Sequence, residues 1–431
     1  MHSDIDFPLA LSATSDAAAA PEPGWRDSSA VLARTLAPVA IAGAGGWLAF
    51  QCDVLQYVFQ VSTTQEFLAG AFLLAIAWRM VASRRQAGLV MLAWYLGAAA
   101  SMPSEWVSFF GGGHLGGFVV WGAWAALMAL PYTIFPRRLP AVGLVSGLAL
   151  TAIPPLGFIG LGSPLIASGA LFAGLGWAGL ICTFAFYALA TVPGRWPVVL
   201  LTAVILTATV RNVEPPPTPP ATSWAMTTFD GTYPHDLMSQ FQRQDALKTR
   251  VEQDIRQGAK LIILPEGAID NWTDGNSVYW SDVSALAKAH HAQVLVGVYR
   301  STDDSMRNAA DGLLDLTTGV LYPATISIPF GMWHPWRSSA DDPNFPIQFG
   351  ALLKTIPTRF GPAAYSICYE ELLLWPLAAK MATDHPKLII SAANQWFTTP
   401  DTARAQTRSI AMQARLWGLP VLRAVNWAPM R

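Results

Sequence analysis

The sequence predicts a multi-pass α-helical membrane domain followed by an α/β domain. Of the 431 residues, 52% are hydrophobic and only 13% are charged, a balance too apolar and too charge-poor for an ordinary soluble protein. Long apolar stretches follow one another through the first half of the chain. The second half instead alternates short apolar runs with amphipathic stretches, which is typical of strands alternating with helices.

Composition divides the chain into four parts. Residues 1–29 are rich in Ala, Ser, Asp and Pro and have no apolar core, so we expect a disordered N-terminal tail and not a cleavable signal peptide. Residues 30–211 form the predicted transmembrane domain. Residues 212–222 contain the run EPPPTPP, which indicates a semi-rigid linker because consecutive prolines favour an extended backbone. Residues 223–431 form the predicted α/β domain.

The transmembrane domain is predicted to have about seven helices, each near the length that a bilayer requires. The alternative is a buried helical domain of a soluble protein, but so many nearly uncharged runs in succession disfavour it. The predicted spans are 31–50, 67–81, 87–102, 115–135, 142–161, 165–192 and 197–210.

Arginines in alternate short loops predict the orientation, because basic residues mark cytoplasmic loops. The intervening loops carry acidic residues, and an odd number of spans then places the α/β domain outside. We therefore expect a multi-pass protein of the bacterial inner membrane with a periplasmic C-terminal domain. The basic set is Arg79, Arg84, Arg85, Arg137, Arg138 and Arg195, with Arg26 and Arg34 near the first span, and the acidic set is Asp53, Glu66 and Glu105.

Two short apolar runs of the α/β domain each end on a residue with reactive chemistry. Run 260–265 leads into Glu266, and run 364–367 leads into Cys368. A thiol is nucleophilic only as the thiolate, and a nearby carboxylate that accepts its proton is one way to form it. The alternative is that Cys368 is a small buried hydrophobe, as expected for Cys52 and Cys182 in apolar segments. Glu266 favours the active-site interpretation, because a carboxylate after an apolar run needs a partner.

Four motifs in order resemble the nitrilase, or carbon-nitrogen hydrolase, superfamily. They are LPEGAIDNW around Glu266, YPATISIPFGMW, SICYEEL around Cys368, and SAANQWF with the helix that follows it. Among the branches of the superfamily, the apolipoprotein N-acyltransferases and a shorter branch of conjugal transfer proteins are the most similar. The resemblance implies an αββα sandwich, in which two sheets lie face to face with helices outside.

The resemblance also implies the roles of individual residues. Glu266 matches the general base, and Cys368 matches the nucleophile that forms a thioester. A set of neighbouring residues matches positions that line or shape the substrate pocket: Tyr369, Glu370, Asn394, Trp396 and Phe397.

The sequence departs from this pattern at several places. Ala324 stands where the acyltransferases have the lysine that stabilises the oxyanion, and Met332 replaces a glutamate. Lys354, in a nearby loop, is a weak candidate to replace that lysine, because a solvated loop charge is the simpler interpretation. The sequence ends at Arg431, before the last strands and helix of the acyltransferases, which favours the shorter branch and leaves one sheet short unless a partner or an altered edge compensates.

Three functions stay open from the sequence. The first is an accessory protein of conjugative transfer with Cys-dependent acyl transfer or amide hydrolysis, the second is an apolipoprotein N-acyltransferase, and the third is an inactive interaction module. Expected partners are the lipid bilayer, a phospholipid or lipoprotein substrate, and proteins of a conjugative apparatus. The net charge of −1 gives no reason to expect nucleic acid, and the isolated His334 gives none to expect a metal or other cofactor. The aromatic loop 331–336 is either a lid at the membrane or simple packing.

Overall fold

The computed structural model describes residues 25–52, 62–134, 140–339, 342–400 and 403–429, with only the backbone for residues 25–31. The sequence-predicted tail therefore lies largely outside the described residues. Its last part differs from the expectation, because the first helix begins at Trp25 and not after residue 29. Among the described residues, the chain forms a helical region followed by an α/β domain with two sheets.

Closely packed helices build the first region. A side chain at Gly46 would place its Cβ 2.2 Å from the Trp94 carbonyl oxygen, so the first and third helices touch through small residues. The helices are α1 (Trp25–Phe50), α2 (Thr63–Arg79), α3 (Arg84–Ala98), α4 (Met102–Phe110), α5 (His114–Ala129), α6 (Pro131–Ile134), α7 (Pro140–Ala152), α8 (Ser168–Leu171), α9 (Gly176–Ala190) and α10 (Arg195–Arg211), with 3-10 turns at Leu156–Ile159 and Pro164–Ala167.

Fewer of these helices are long membrane spans than the hydropathy of the sequence indicates. By length and composition, one helix in the described part of the chain is suited to cross a bilayer, or up to three if two bent helix pairs each count as one span. The predicted span 165–192 is such a pair, bent by 117° before α9. The predicted span 142–161 ends its helix at Ala152, because Pro154 and Pro155 cannot continue it. The seven-span topology remains a prediction.

Opposite ends of α2 make different contacts. At its C-terminal end, the Arg79 guanidinium donates to the carbonyl oxygens of Val192 at 2.7 Å and Gly194 at 2.9 Å, which brings two arginine-containing loops together. At its N-terminal end, the buried Glu66 carboxylate forms an ion pair with Arg408 of the α/β domain. The arginine loops and the α/β domain therefore lie at opposite ends of this helix. Arg137, Arg138 and Asp53 lie outside the described residues.

The α/β domain has the four-layer arrangement that the resemblance implies. One sheet has the order β1-β3-β4-β5-β6 and the other β2-β10-β9-β8-β7. Apolar side chains from both sheets form a shared core between them, and separate apolar clusters join each sheet to its outer helices. The strands are β1 (Ser223–Ala225), β2 (Thr227–Thr228), β3 (Leu261–Ile263), β4 (Gln293–Ser301), β5 (Ala309–Asp315), β6 (Leu321–Pro323), β7 (Ile356–Thr358), β8 (Gly361–Ile367), β9 (Leu388–Gln395) and β10 (Val421–Trp427).

The helices of this domain are α11 (Leu237–Arg256), α12 (Asp274–Tyr279), α13 (Ser281–Ala289), α14 (Leu374–Lys380) and α15 (Arg404–Trp417). Trp280 separates α12 from α13. A 3-10 turn, Cys368–Leu372, lies between β8 and α14.

The strand order explains how the edge of the second sheet is covered. Residues 227–228, just after the linker, pair in parallel with β10, with Val425 opposite Thr227. The start of the α/β domain therefore lies beside β10 and forms the outermost strand on this side of the second sheet. The parallel strands β8, β9 and β10 point their carboxyl ends the same way, which collects the loops after them at one edge of the sandwich.

Candidate active site

Glu266 lies where the chain leaves β3 and crosses close to β4. Gly297 on β4 makes this crossing possible, because an added Cβ there would lie 1.9 Å from the Pro265 carbonyl oxygen and 2.6 Å from the Glu266 Cα. Gly267 then adopts a positive φ of 57°, which favours glycine. The two glycines fix the carboxylate at the carboxyl edge of the sheet.

The Glu266 carboxylate is almost fully buried and is held by several donors. The Asn394 backbone N–H donates to Oε2 at 2.7 Å, and the Tyr299 hydroxyl donates to Oε1 at 3.3 Å. The Cys368 thiol lies next to this carboxylate. Burial raises the pKa of Glu266 to about 7, and the hydrogen bonds partly oppose that rise. A carboxylate with such a pKa is suited to accept a proton near neutral pH.

Cys368 is the first residue after β8 and lies at a strained position. Its φ of 46° is in the left-handed region, which non-glycine residues seldom adopt, and such strain is concentrated at functional sites. The Gln406 side chain on α15 donates to the Cys368 carbonyl oxygen at 2.7 Å and helps to hold the turn. Burial, followed by the charge of Glu266, raises the pKa of the thiol well above its ordinary value. A thiol with a raised pKa is protonated at neutral pH, so it needs a base to become nucleophilic.

A cavity of about 360 Å³ opens onto both residues. Its wall combines polar groups with apolar side chains. One of these, Phe109, comes from α4 of the helical region and lies 5.6 Å from Trp396 between ring centroids. The apolar part of the lining comprises Phe109, Ile328, Met332, Phe345 and Trp396, and the polar part includes Asp270, Asn271, Tyr299 and Asn394.

Of the pocket residues implied by the resemblance, Asn394 and Trp396 line this cavity, whereas three others do not among the described residues. The Tyr369 hydroxyl instead donates to the Phe158 carbonyl oxygen of the helical region at 2.9 Å. Phe397 packs behind the wall against Phe109, with ring centroids 5.3 Å apart. The 3-10 turn after Cys368 turns Tyr369 and Glu370 away from the cavity, which corrects the expectation for both.

The buried Glu370 carboxylate connects two backbone segments, one of which ends next to the nucleophile. Its carboxylate accepts the Thr325 backbone N–H at 2.7 Å and the Ile367 backbone N–H at 3.0 Å. Lys380 on α14 provides the compensating charge, with its ammonium 3.8 Å from Glu370 Oε1. Glu370 therefore joins the chain after β6 to the end of β8, next to Cys368.

The described residues place no lysine in the cavity. Ala324, which stands at the position of the family lysine, is buried just after β6. Lys354 is exposed on the loop before β7 and does not line the cavity. The weak proposal that Lys354 replaces the missing lysine is therefore wrong in this structure.

Sequence reasoning missed Asp311, which lies in the middle of β5. Its carboxyl group is buried and forms a hydrogen bond with Glu266. Burial, followed by the charge of Glu266, raises the pKa of Asp311 well above its ordinary value. The signal in the sequence is an aspartate inside an otherwise apolar strand, because such a group stays buried only with a partner.

The four-layer sandwich, with a carboxylate and a cysteine brought together at one edge, defines the second half of the chain as a nitrilase-like domain. The sequence comparisons add relatives over most of the chain. A conjugal transfer protein TraB of Agrobacterium fabrum is 28% identical over 398 residues, covering 83% of this chain and 87% of that protein. A probable conjugal transfer protein TraB of Sinorhizobium fredii is 27% identical over 362 residues, covering 81% and 90%. The chain is thus a homologue of proteins named TraB.

Solved structures similar to this chain include a carbon-nitrogen hydrolase from Helicobacter pylori. It is 12% identical with a TM-score of 0.31, and the match covers 47% of this chain and 72% of the other. An amidase from Nesterenkonia sp. is 12% identical with a TM-score of 0.33, covering 46% and 74%. No protein-family model matches the chain.

Proposed function

We propose that this chain is an inner-membrane protein of conjugative transfer whose nitrilase-like domain performs Cys368-dependent acyl transfer or amide hydrolysis. The observation that carries the chemistry is the position of the Cys368 thiol next to the Glu266 carboxylate, with both residues lining one cavity. A nucleophile next to a base of suitable pKa is the arrangement that thioester chemistry requires. The conjugative role is supported by the names of the two relatives.

The proposed reaction has two halves. Glu266 takes the thiol proton as the Cys368 sulfur attacks the substrate carbonyl carbon, and a carbon–sulfur bond forms. The bond to the leaving amine or alcohol then breaks, and that group takes the proton from Glu266. In the second half, water or an acceptor amine attacks the thioester and gives its proton to Glu266. The carbon–sulfur bond breaks, and Cys368 recovers a proton from Glu266.

The lining of the cavity supports a substrate with an apolar acyl group. Phe109 belongs to α4 in the helical region, so one wall of the cavity is supplied by the predicted membrane domain. Phe330 and Trp336 are largely exposed on the nearby aromatic loop, with ring centroids 5.6 Å apart. Exposed aromatic side chains are favoured at a lipid–water interface. A phospholipid or lipoprotein that approaches along the bilayer is therefore the proposed substrate class.

The proposed location is the inner membrane, with the α/β domain in the periplasm. The contacts of α2 support it, because the arginine loops and the α/β domain lie at opposite ends of this helix. Basic loops face the cytoplasm, which assigns the opposite end to the periplasm. A periplasmic domain of this kind is placed to meet proteins of a conjugative apparatus.

Acylation of the full-length protein in detergent tests the chemistry. A p-nitrophenyl ester of a medium-length fatty acid releases nitrophenol as it acylates the thiol, and mass spectrometry locates the acyl group. We expect labelling at Cys368 that is abolished in Cys368→Ala and strongly slowed in Glu266→Gln. The matched control is Cys182→Ala, which removes a cysteine of α9 outside the site. Labelling that is the same in Glu266→Gln and the unaltered protein would contradict the proposal.

A second candidate is an interaction module that keeps the fold without the chemistry. Ala324 favours it, because loss of even one oxyanion donor slows enzymes with a tetrahedral intermediate, such as subtilisin, by about a hundredfold to a thousandfold. An absence of Cys368 acylation, with normal folding of the protein, would support this candidate. The third possibility, an apolipoprotein N-acyltransferase, is tested by complementation of a strain depleted of that enzyme. Because of Ala324 we expect no growth, and growth lost on Cys368→Ala would establish that activity.

A further inference from the structure

We infer that Asp311 is a catalytic residue that donates a hydrogen bond to the oxyanion, in the role of the lysine that Ala324 replaces. This inference rests on the proposed acyl-transfer function and assigns a residue to its transition state. It stands on three observations: where Asp311 lies relative to Ala324, which groups surround its carboxyl group, and how protons are shared at the site.

Asp311 and Ala324 are neighbours across two antiparallel strands. Gly312 of β5 is paired with Pro323 of β6, so the next pair along the ladder is Asp311 with Ala324. The Ala324 backbone N–H donates to the Asp311 carbonyl oxygen at 2.8 Å, which continues the pairing. Residues directly opposite each other in an antiparallel pair project from the same face of the sheet. Asp311 therefore shares its face with the position of the family lysine.

That face is the interior of the sandwich. Leu313, two residues after Asp311, and Tyr322, two residues before Ala324, both belong to the core between the sheets. The alternation of side chains along a strand puts Asp311 on the same side. Ala324 is itself part of this core and fills little of the space opposite. The Asp311 carboxyl group thus lies buried in the interior of the sandwich, on the strand beside the one that carries the lysine in the family pattern.

The surroundings of Asp311 are acidic. Its carboxyl group forms a hydrogen bond with Glu266 and lies near the charge of Glu370 and the thiol of Cys368. The buried ammonium of Lys380 contacts Glu370 and Thr325. Asp311 Oδ1 has no hydrogen-bond partner among the described residues. Two buried carboxyl groups in contact share one proton, because both cannot ionise together.

The shared proton gives Asp311 a definite part in the reaction. In the resting site it bonds Asp311 to Glu266. When Glu266 takes the thiol proton and the sulfur bonds to the substrate carbon, the carbonyl electron pair moves to oxygen. Glu266 is then protonated and no longer needs the Asp311 hydrogen bond, so the Asp311 O–H turns to the oxyanion. When the intermediate collapses, Glu266 gives its proton to the leaving group and Asp311 keeps its own. A protonated aspartic acid in an oxyanion hole has precedent in ketosteroid isomerase.

Two reactions of the same cysteine separate this role from a structural one. Acylation by a p-nitrophenyl ester forms an oxyanion, whereas alkylation by iodoacetamide does not. The ratio of the acylation rate to the alkylation rate therefore reports stabilisation of the oxyanion, because a change in thiol activation affects both rates equally. In Asp311→Ala we expect the ratio to fall by about a hundredfold to a thousandfold. In Asp311→Asn, whose amide is also a neutral donor, we expect it to stay within about tenfold of the unaltered protein.

The matched control is Asp315→Asn, which changes another buried aspartate of β5 outside the site, and its ratio should be unchanged. The double variant Asp311→Ala with Ala324→Lys tests the shared position directly, and we expect it to recover most of the lost ratio. An acylated protein whose ratio is the same in Asp311→Ala would overturn this inference and leave the proposed function standing. An equal fall in Asp311→Ala and Asp311→Asn would also overturn it. Alkylation of the unaltered protein without any acylation would overturn both.

Discussion

The ammonium of Lys380 lies 3.0 Å from the hydroxyl oxygen of Thr325, one residue past the position of the family lysine. Lys380 is not among the described residues that line the cavity, and its ammonium lies 3.8 Å from Glu370 Oε1. Burial lowers the pKa of Lys380, and the charge of Glu370 opposes that change. Lys380 is therefore the counter-ion of the Glu370 carboxylate, which accepts hydrogen bonds from the backbone N–H groups of Ile367 and Thr325.

Removal of this ammonium should destabilise the domain. Lys380→Met leaves the Glu370 carboxylate buried without its counter-ion, and breaking a buried pair in this way costs about 3–5 kcal/mol. We expect the double variant Lys380→Met with Glu370→Gln to recover part of that loss. Chemical unfolding of the full-length protein, followed by tryptophan fluorescence, measures the change. Lys354→Met, at an exposed lysine, is the control and should alter stability by less than about 0.5 kcal/mol. Equal effects at the two lysines would contradict the assigned role.

The rate of Cys368 labelling should depend on the ionisation of Glu266. The carboxyl group accepts the thiol proton only when it is ionised, and burial raises its pKa to about 7. We expect the alkylation rate to rise with pH through a midpoint near 7. In Glu266→Gln that step should disappear, and the remaining rise should follow the thiol itself to much higher pH. A midpoint near the ordinary carboxyl value would show that Glu266 is not the base.

The buried Asp311 carboxyl group should destabilise the folded protein more strongly as the pH rises. Its folded-state pKa is raised, so the folded form binds more protons than the unfolded form. The stability contributed by the neutral form is therefore complete below the unfolded pKa of about 3.9 and is lost as the pH rises towards the folded value. Asp311→Asn removes this titration. We expect the variant to gain stability relative to the unaltered protein between pH 5 and pH 8 in thermal unfolding. A difference independent of pH would contradict this.

A methyl group on β4 should displace the base. Gly297→Ala brings a Cβ within 1.9 Å of the Pro265 carbonyl oxygen, so the segment that carries Glu266 must move. We expect a loss of stability of about 1–3 kcal/mol from overpacking, and slower Cys368 labelling. The control is Gly350→Ala, where an added Cβ meets no atom within 4 Å. Labelling unchanged in Gly297→Ala would mean that the close crossing does not position Glu266.

The contact between Glu266 and Cys368 was predictable from the sequence, because each residue directly follows a short apolar run. Buried strands with reactive residues at their ends leave few arrangements, and parallel strands bring those ends to one edge. The order of strands and helices was predictable for the same reason. The division of residues 223–228 between the two sheets was not, since six consecutive residues of mixed polarity do not show that the chain passes from one sheet to the other.

Asp311 and the turn after Cys368 escaped prediction for different reasons. A strand pattern shows which residues are buried but not which buried polar groups meet across two sheets. The turn depends on the positive φ of Cys368 and on Gln406, a residue far along the chain. In the helical region, apolar composition alone does not distinguish a straight span from a bent pair, so 165–192 appeared continuous.

The hydrogen bond from Tyr369 to Phe158 has a mechanical consequence. Tyr369 is covalently joined to Cys368, and its hydroxyl is anchored to the backbone of the turn Leu156–Ile159 in the helical region. Trp375 adds a second anchor to that turn, donating to the Gly157 carbonyl oxygen at 2.9 Å. A displacement of the turn therefore pulls on the residue next to the reactive sulfur. The helical region thus holds the residue next to the nucleophile in place. An α/β domain cut at the proline-rich linker would lose these hydrogen bonds together with the part of the cavity wall that Phe109 supplies.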